Sequence, residues 1–326
     1  MFRIKCICAI AACIAVCTAV AWGQTTPAPT GSILFVDDDG AQCPGALSTI
    51  QEAVTKATPG TTILVCPGTY TKQVSIVGEA KNAIRLIALG GDGEVVLEGD
   101  HTQPHGFFLN NVSNVLIRGF TVREFGNKPT TASGFGSGCG INLNDASYNV
   151  IENNRVTRTD MLGIYILNAA HNIVRHNLVF EVDAQGFGLG IILEGRGSTD
   201  NLVFQNYVLG QPGAGIMVSG AGPGNIILDN NFSNNGQWGM THSNTEGTLI
   251  ENNRFSFNAG AWGVITSQSD RRSTGIALTK SNNVSVVGNV VRNNTLFDLS
   301  WDKSGEIIFS GNVCETANQP ELCPQK

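Results

Sequence analysis

The sequence predicts an all-β protein, a solenoid of about ten stacked coils built from short parallel strands. Three observations predict it. Of 326 residues, 42% are apolar, only 14% are charged and 7% aromatic, and there are 39 Gly. Gly and Asn are poor helix formers, and the residues that drive helices do not dominate. A Gly followed by apolar residues at +1 and +3 recurs at Gly106, Gly140, Gly163, Gly190, Gly215 and Gly275, with Gly239 and Asp298 opening variants. An Asn with apolar residues at −3 and +2 recurs at Asn154, Asn177, Asn206, Asn230, Asn253, Asn289 and Asn312, and Phe120 takes its place in the earliest copy.

The Gly and Asn elements lie 14 residues apart in six of eight copies, and 16 and 15 apart in the others. Alternation at period two makes each element a strand with one buried face. Two or three such strands in each unit of about 23 residues describe stacked coils rather than a sandwich or a βαβ fold. No period of 3.6 runs through the units, which excludes a helical repeat. In stacked coils, equivalent Asn residues stand about 4.8 Å apart, so each amide can hydrogen-bond to the next. Asn also tolerates the left-handed backbone that tight corners need. The Asn column is therefore read as architecture.

Along the chain, residues 1–23 read as a secretory signal: a basic start with Arg3 and Lys5, an apolar run from Cys6 to Trp22, and small residues at Ala21 and Gly23. A lipoprotein anchor at Cys13 is the alternative. Residues 24–32 form a linker, 33–105 the N-terminal cap and first coils, 106–315 the regular coils, and 316–326 the tail. No other segment is apolar enough to span a bilayer, so no stable membrane span is expected after signal removal. Twenty basic and 26 acidic residues give a formal charge of −6, and loss of Arg3 and Lys5 makes it −8. This balance excludes a nucleic-acid binder and a charge-rich disordered chain.

Four of the nine Cys leave with the signal. In an exported chain, proximity pairs Cys43 with Cys66 and Cys314 with Cys323, one bridge near each end, leaving Cys139 as the odd thiol. The Cys and His residues show no metal-ligand spacing.

The segments Asn172 to Val179 and Gly163 to Leu167 resemble the repeats of right-handed parallel β-helix proteins of the pectin-lyase-like superfamily. The N-terminal Val36 to Gly40, Ser48 to Val54, Pro59 to Val65 and Pro67 to Tyr70 are similar to the opening segment of exported members. The resemblance covers about residues 33–315 and implies a single-stranded right-handed parallel β-helix with a short helix capping its first end. Ser48 to Ala57 is the one good amphipathic helix, with Ser48 read as its N-cap. The resemblance speaks for fold rather than activity; the signal segment predicts a secreted or periplasmic protein, expected to be a monomer with polysaccharide as its partner. The motif sets of polygalacturonase-like enzymes and alginate epimerases are not complete here, so no family site is carried over.

Unit length varies at one corner, from the Asn element to the next Gly element. Four corners span nine residues, whereas others span 20, 13 and 22. The two long ones, Gly126–Gly138 and Phe257–Thr274, rise from one edge about 24 Å apart, bounding a groove that fits several sugar units. Its floor is expected to carry Asn142, Tyr165, Ile192, Met217 and Thr241, with Trp238 beside one strand and Trp262 in the distal loop. Arg158 with Asp160, Glu181 with Asp183, and Arg271 with Arg272 gather at the same corner. Asp160 and Asp183 each follow their Asn by six residues, which predicts two carboxylates about 5 Å apart, as a retaining glycosidase or a shared Ca2+ would use. A lyase would instead use an Arg or cation to neutralise a uronate, with Tyr165 or Arg158 as base. Solvated turn charges with local ion pairs are the alternative.

The predicted function is binding or cleavage of extracellular polysaccharide, by a polysaccharide lyase or glycoside hydrolase if the chain is an enzyme. A non-catalytic scaffold or adhesin, or a maturation factor resembling the periplasmic NosD copper-maturation proteins, is the alternative. His242 reads as a hydrogen-bonded core histidine.

Overall fold

A computed structural model of the chain describes residues 31–127, 138–182, 188–259 and 273–323. The signal segment lies outside them. The described chain winds into a right-handed parallel β-helix whose strands form three parallel sheets of eleven, nine and nine strands. We call the sheet of long Gly strands the front sheet. It runs from Val74–Val77 through His105–Asn110, Cys139–Asn144, Leu162–Leu167, Leu189–Glu194, Ala214–Ser219, Trp238–Ser243 and Thr274–Thr279 to Phe297–Trp301. The base sheet has eleven strands from Ile33–Val36 to Ile307–Ser310, and the back sheet nine from Gly68–Tyr70 to Val290–Arg292.

The repeat residues owe their identity to how closely the coils pack. A Cβ on Gly163 would lie 2.5 Å from the Gly190 carbonyl oxygen and 2.5 Å from Val179 Cγ1. The front strand thus crosses the back sheet's apolar column too closely for any side chain. The core between the sheets is a stack of fully buried aliphatic residues, with Phe107 edge-on to Phe120 at 5.1 Å and Phe232 stacked on Phe255 at 5.2 Å.

The Asn column forms one ladder from Asn154 to Asn312, each Nδ2 donating to the next Oδ1 at 3.0–3.1 Å. Each backbone N–H donates to that same oxygen, and the Phe120 N–H enters the ladder through Asn154. The ladder residues do not take the left-handed backbone. The residue before each one does: Asn153, His176, Gln205, Asp229, Asn252, Gly288 and Gly311 all have positive φ. Two further ladders, which the strand pattern alone did not pick out, run five residues before and five residues after the first. Asn149, Asn172, Asn201 and Asn225 form one, and Gln211, Asn235, Asn258 and Asn294 the other, which ends on the buried Asp298. Asp298 stands in the Gly position of the last front strand and also accepts the Glu315 and Thr316 amides.

The first end is capped by helix α1, Ile50–Lys56, which buries Ile50, Ala53 and Val54. Its N-cap is Thr49 rather than Ser48: the Thr49 hydroxyl accepts the Glu52 N–H at 3.1 Å. Only Thr49 stands three residues before Glu52, the spacing an N-cap contact requires. Cys43–Cys66 and Cys314–Cys323 are disulfides at the two ends, and Cys139 is a free, buried thiol.

Candidate functional site

The outer face of the front sheet carries one row of side chains in register: Phe108, Asn142, Tyr165, Ile192, Met217, Thr241 and Ala277. Strand alternation puts them there, because the residues on either side of each point into the core. Phe108, Tyr165, Met217 and Thr241 are half-buried, whereas Asn142 and Ile192 are buried. Trp238 starts the neighbouring column, in register with Ala214 and Thr274.

Two hydrogen-bonded groups occupy the early part of this row. Tyr165 donates its hydroxyl to Glu194 Oε2 at 2.6 Å, reaching across to the adjacent coil. Burial, and then the Glu194 carboxylate, push the phenol above its ordinary range. Tyr165 is therefore held protonated at neutral pH and donates that proton to the hydrogen bond with Glu194. Beside it, His105 Nδ1 lies 3.2 Å from Cys139 Sγ, and its Nε2 lies 3.4 Å from Asn142 Nδ2. The imidazole stacks on Phe108 at 5.2 Å. Burial pushes His105 below the usual histidine range and pushes the Cys139 thiol up, so both are held neutral.

A second cluster sits at the base of the Gly126–Gly138 corner. His101 faces Glu124 Oε2 through Nε2 and Asp160 Oδ1 through Nδ1, each at 2.6 Å. Arg158 Nε closes on the other Glu124 oxygen at 2.7 Å. Gly126 must be Gly, since its φ is +136° and a Cβ would come within 2.4 Å of Asp160 Cβ. Glu124, Arg158 and Glu181 share a left-handed corner column: the Glu124 N–H donates to Arg158 O and the Arg158 N–H to Glu181 O. The His101, Glu124, Asp160 and Arg158 side chains tie neighbouring coils together, and Arg158 meets a carboxylate of its own chain.

Of the other expected site residues, Asp183, Trp262, Arg271 and Arg272 lie outside the described residues. Among the described residues, the His, Cys, Asp and Glu groups close enough to share an ion lie near the first end, at Asp37, Asp38, Asp39, Cys43 and Cys66. There, Cys43 and Cys66 are joined as a disulfide and Asp37 accepts backbone amides.

Sequence reading missed His105 and His101, and it missed that Glu194 meets Tyr165. Glu194 lies four residues after Gly190, on the coil next to Tyr165, so comparing Tyr165 with adjacent-coil charges would have found it. His105 directly precedes Gly106, in the column of Cys139. His101 carried no repeat signal.

No curated protein sequence matches the chain. Among solved structures it is similar to full-length tailspike protein 2 from Escherichia coli O157:H7 bacteriophage CAB120, with a TM-score of 0.59 and 12% identity over 88% of this chain and 40% of that one. It is also similar to the A-module of the mannuronan C-5 epimerase AlgE6 of Azotobacter vinelandii, with a TM-score of 0.51 and 16% identity over 80% of each chain. Pectate lyase Pel9A gives a TM-score of 0.50 at 16% identity, over 91% of this chain and 80% of that one. At these identities the likeness is one of fold. A family model for the right-handed β-helix region matches residues 105–270 and 190–320, and with three parallel sheets and a repeating ladder beneath that match, the chain belongs to the right-handed β-helix family.

Proposed function

We propose that the protein is exported and binds an acidic polysaccharide along the outer face of the front sheet, cleaving it by β-elimination. The carrying observation is the Tyr165–Glu194 pair at 2.6 Å, in a row with the buried Asn142. β-Elimination needs a base for the proton beside the sugar carboxylate, an acid for the leaving glycosidic oxygen, and a group that takes up charge on the carboxylate. In this reading Glu194 takes the carbon-bound proton while Tyr165 protonates the leaving oxygen. The sugar C–O bond breaks as the double bond forms, and the Tyr165–Glu194 hydrogen bond returns the proton to the phenol. The Asn142 amide faces the carboxylate.

Elimination is favoured over hydrolysis by the distribution of carboxylates. A retaining hydrolase needs two about 5 Å apart. Among the described front strands the carboxylates are Glu194 and Asp298, of which Asp298 is buried in the third ladder, and Asp160 is engaged by His101. Polysaccharide-acting names among proteins of like fold agree with a glycan partner. Two disulfides fit an oxidising compartment, and among the described residues no helix is long and apolar enough to cross a membrane.

The test is a screen of uronate and neutral polysaccharides that follows ultraviolet absorbance of unsaturated uronate, new reducing ends and binding together. Unsaturated product from a uronate polymer is expected. Reducing ends without unsaturation would turn the assignment to hydrolysis, and binding without product would leave a binding protein.

A further inference from the structure

Cys139 has no disulfide partner and is buried, yet it touches the site. Cys139 and His105 are register partners that open adjacent front strands, and Asn142 is likewise partnered with Phe108, the residue on which the His105 ring stacks. The result is a continuous contact chain: thiol to Nδ1 at 3.2 Å, and Nε2 to the Asn142 amide at 3.4 Å. Asn142 is only 7% exposed, and among the described residues its Oδ1 meets no hydrogen-bond partner. An amide end buried without a partner costs about 1–3 kcal/mol, so a ligand that supplies the partner recovers that cost.

A neutral imidazole has one N–H, which leaves two ways to connect the chain. If Nδ1 carries the proton, the imidazole donates to sulfur, a weak acceptor, and the S–H finds no use. Nε2 then takes an amide hydrogen at a long distance, and Oδ1 stays alone. If Nε2 carries the proton, the S–H donates to the strong acceptor Nδ1, and Nε2–H donates to the Asn142 carbonyl. That requires only a half-turn of the amide, whose oxygen and nitrogen ends are nearly the same size. The free end of Asn142 is then its NH2, a pair of donors suited to a carboxylate.

We propose that Cys139 and His105 are positioning residues, which orient Asn142 so that it presents NH2 rather than C=O to the ligand on the front face. The inference rests on the acidic-glycan reading above and adds the origin of its selectivity. The Cys139 thiol acts by donating a hydrogen bond and stays protonated throughout.

The experiment has two readouts. The first is the tautomer of His105 in the ligand-free protein, from nitrogen chemical shifts of histidine-labelled protein assigned by difference with His105→Gln. The second is the affinity for polygalacturonate and polymannuronate against the same polymers with their carboxylates reduced to alcohols. Wild type is expected to show the Nε2–H tautomer and to prefer the acidic polymers. Cys139→Ser keeps a donor and should keep both properties. Cys139→Ala should lower the acidic preference about tenfold, the loss of one hydrogen bond to a charged group, with binding of the reduced polymers unchanged. An Nδ1–H tautomer in wild type, or an undiminished preference in Cys139→Ala, would overturn the relay while leaving the glycan reading in place. Equal or tighter binding of reduced polymers by wild type would also overturn it, and binding of neither form would overturn the glycan reading along with it.

Discussion

Tyr165 shows how much a single residue's surroundings decide. On an exposed strand a phenol is one more polar side chain, but here it is half-buried and bonded to a carboxylate on the adjacent coil, which holds its proton in place. If it serves as the general acid, Tyr165→Phe should reduce turnover about 10²–10⁴-fold with little change in glycan affinity. Steady-state rates alongside direct binding would check this, and an unchanged rate would remove Tyr165 from the chemistry. The sequence placed Tyr165 on the outer row, since its offset from Gly163 fixes its face. Its partner escaped notice because a strand pattern reports which way a side chain points and says nothing of how far a tyrosine reaches. His242 was read correctly as a core histidine: it is fully buried and bonded to Ser281 and Thr245.

At the scale of the repeated element, the Asn ladder acts as a shared unit. Asn206 Oδ1 receives both the backbone and side-chain N–H of Asn177, while its own Nδ2 donates to Asn230 and to Val174 O. Asn206→Ala would leave the buried Asn177 N–H without its acceptor and remove the amide that donates to Val174 O and Asn230 Oδ1, a loss of about 2–4 kcal/mol. Asn312 ends the ladder and is only half-buried, so Asn312→Ala should cost about 1 kcal/mol. Urea denaturation of the two variants compares them directly, and equal losses would show that the ladder is not what couples the coils. The first ladder stood out because its Asn follows one fixed strand pattern. The other two are marked as well, Asn149, Asn172, Asn201 and Asn225 five residues before a first-ladder Asn and Gln211, Asn235, Asn258 and Asn294 five residues after one, but a comparison of the two strand elements alone passes over the corners between them.

Over the whole molecule, stability depends on stacked interfaces whose two ends are the weak points. Replacing Cys314 and Cys323 together by Ser should destabilise the chain by about 2–4 kcal/mol and raise amide exchange first in the last coil. Uniform exchange along the solenoid would contradict end-first opening. Acid should weaken the stack as well. Burial pushes the His242 pKa down to about 3, whereas an unfolded histidine titrates near 6.5. Between these values the unfolded chain binds a proton that the folded chain does not. The contribution is therefore complete above pH ~6.5 and falls as pH drops, by up to about 1.4 kcal/mol per pH unit. His242→Gln should remove that part of the slope of stability against pH, and an identical slope would assign acid sensitivity to other groups.

The repeat by itself determined the parallel solenoid, the inward and outward faces of its strands and the row that includes Asn142 and Tyr165. Both faces and coils are set by local periodicity, which a sequence displays directly. Only the tertiary structure decided which residues meet across coils: Tyr165 with Glu194, Cys139 with His105 and Asn142, and His101 with Glu124 and Asp160. Those meetings depend on corner length, side-chain reach and burial. Residues 29 and 34 positions apart become neighbours in space, and no local pattern records the distance between them.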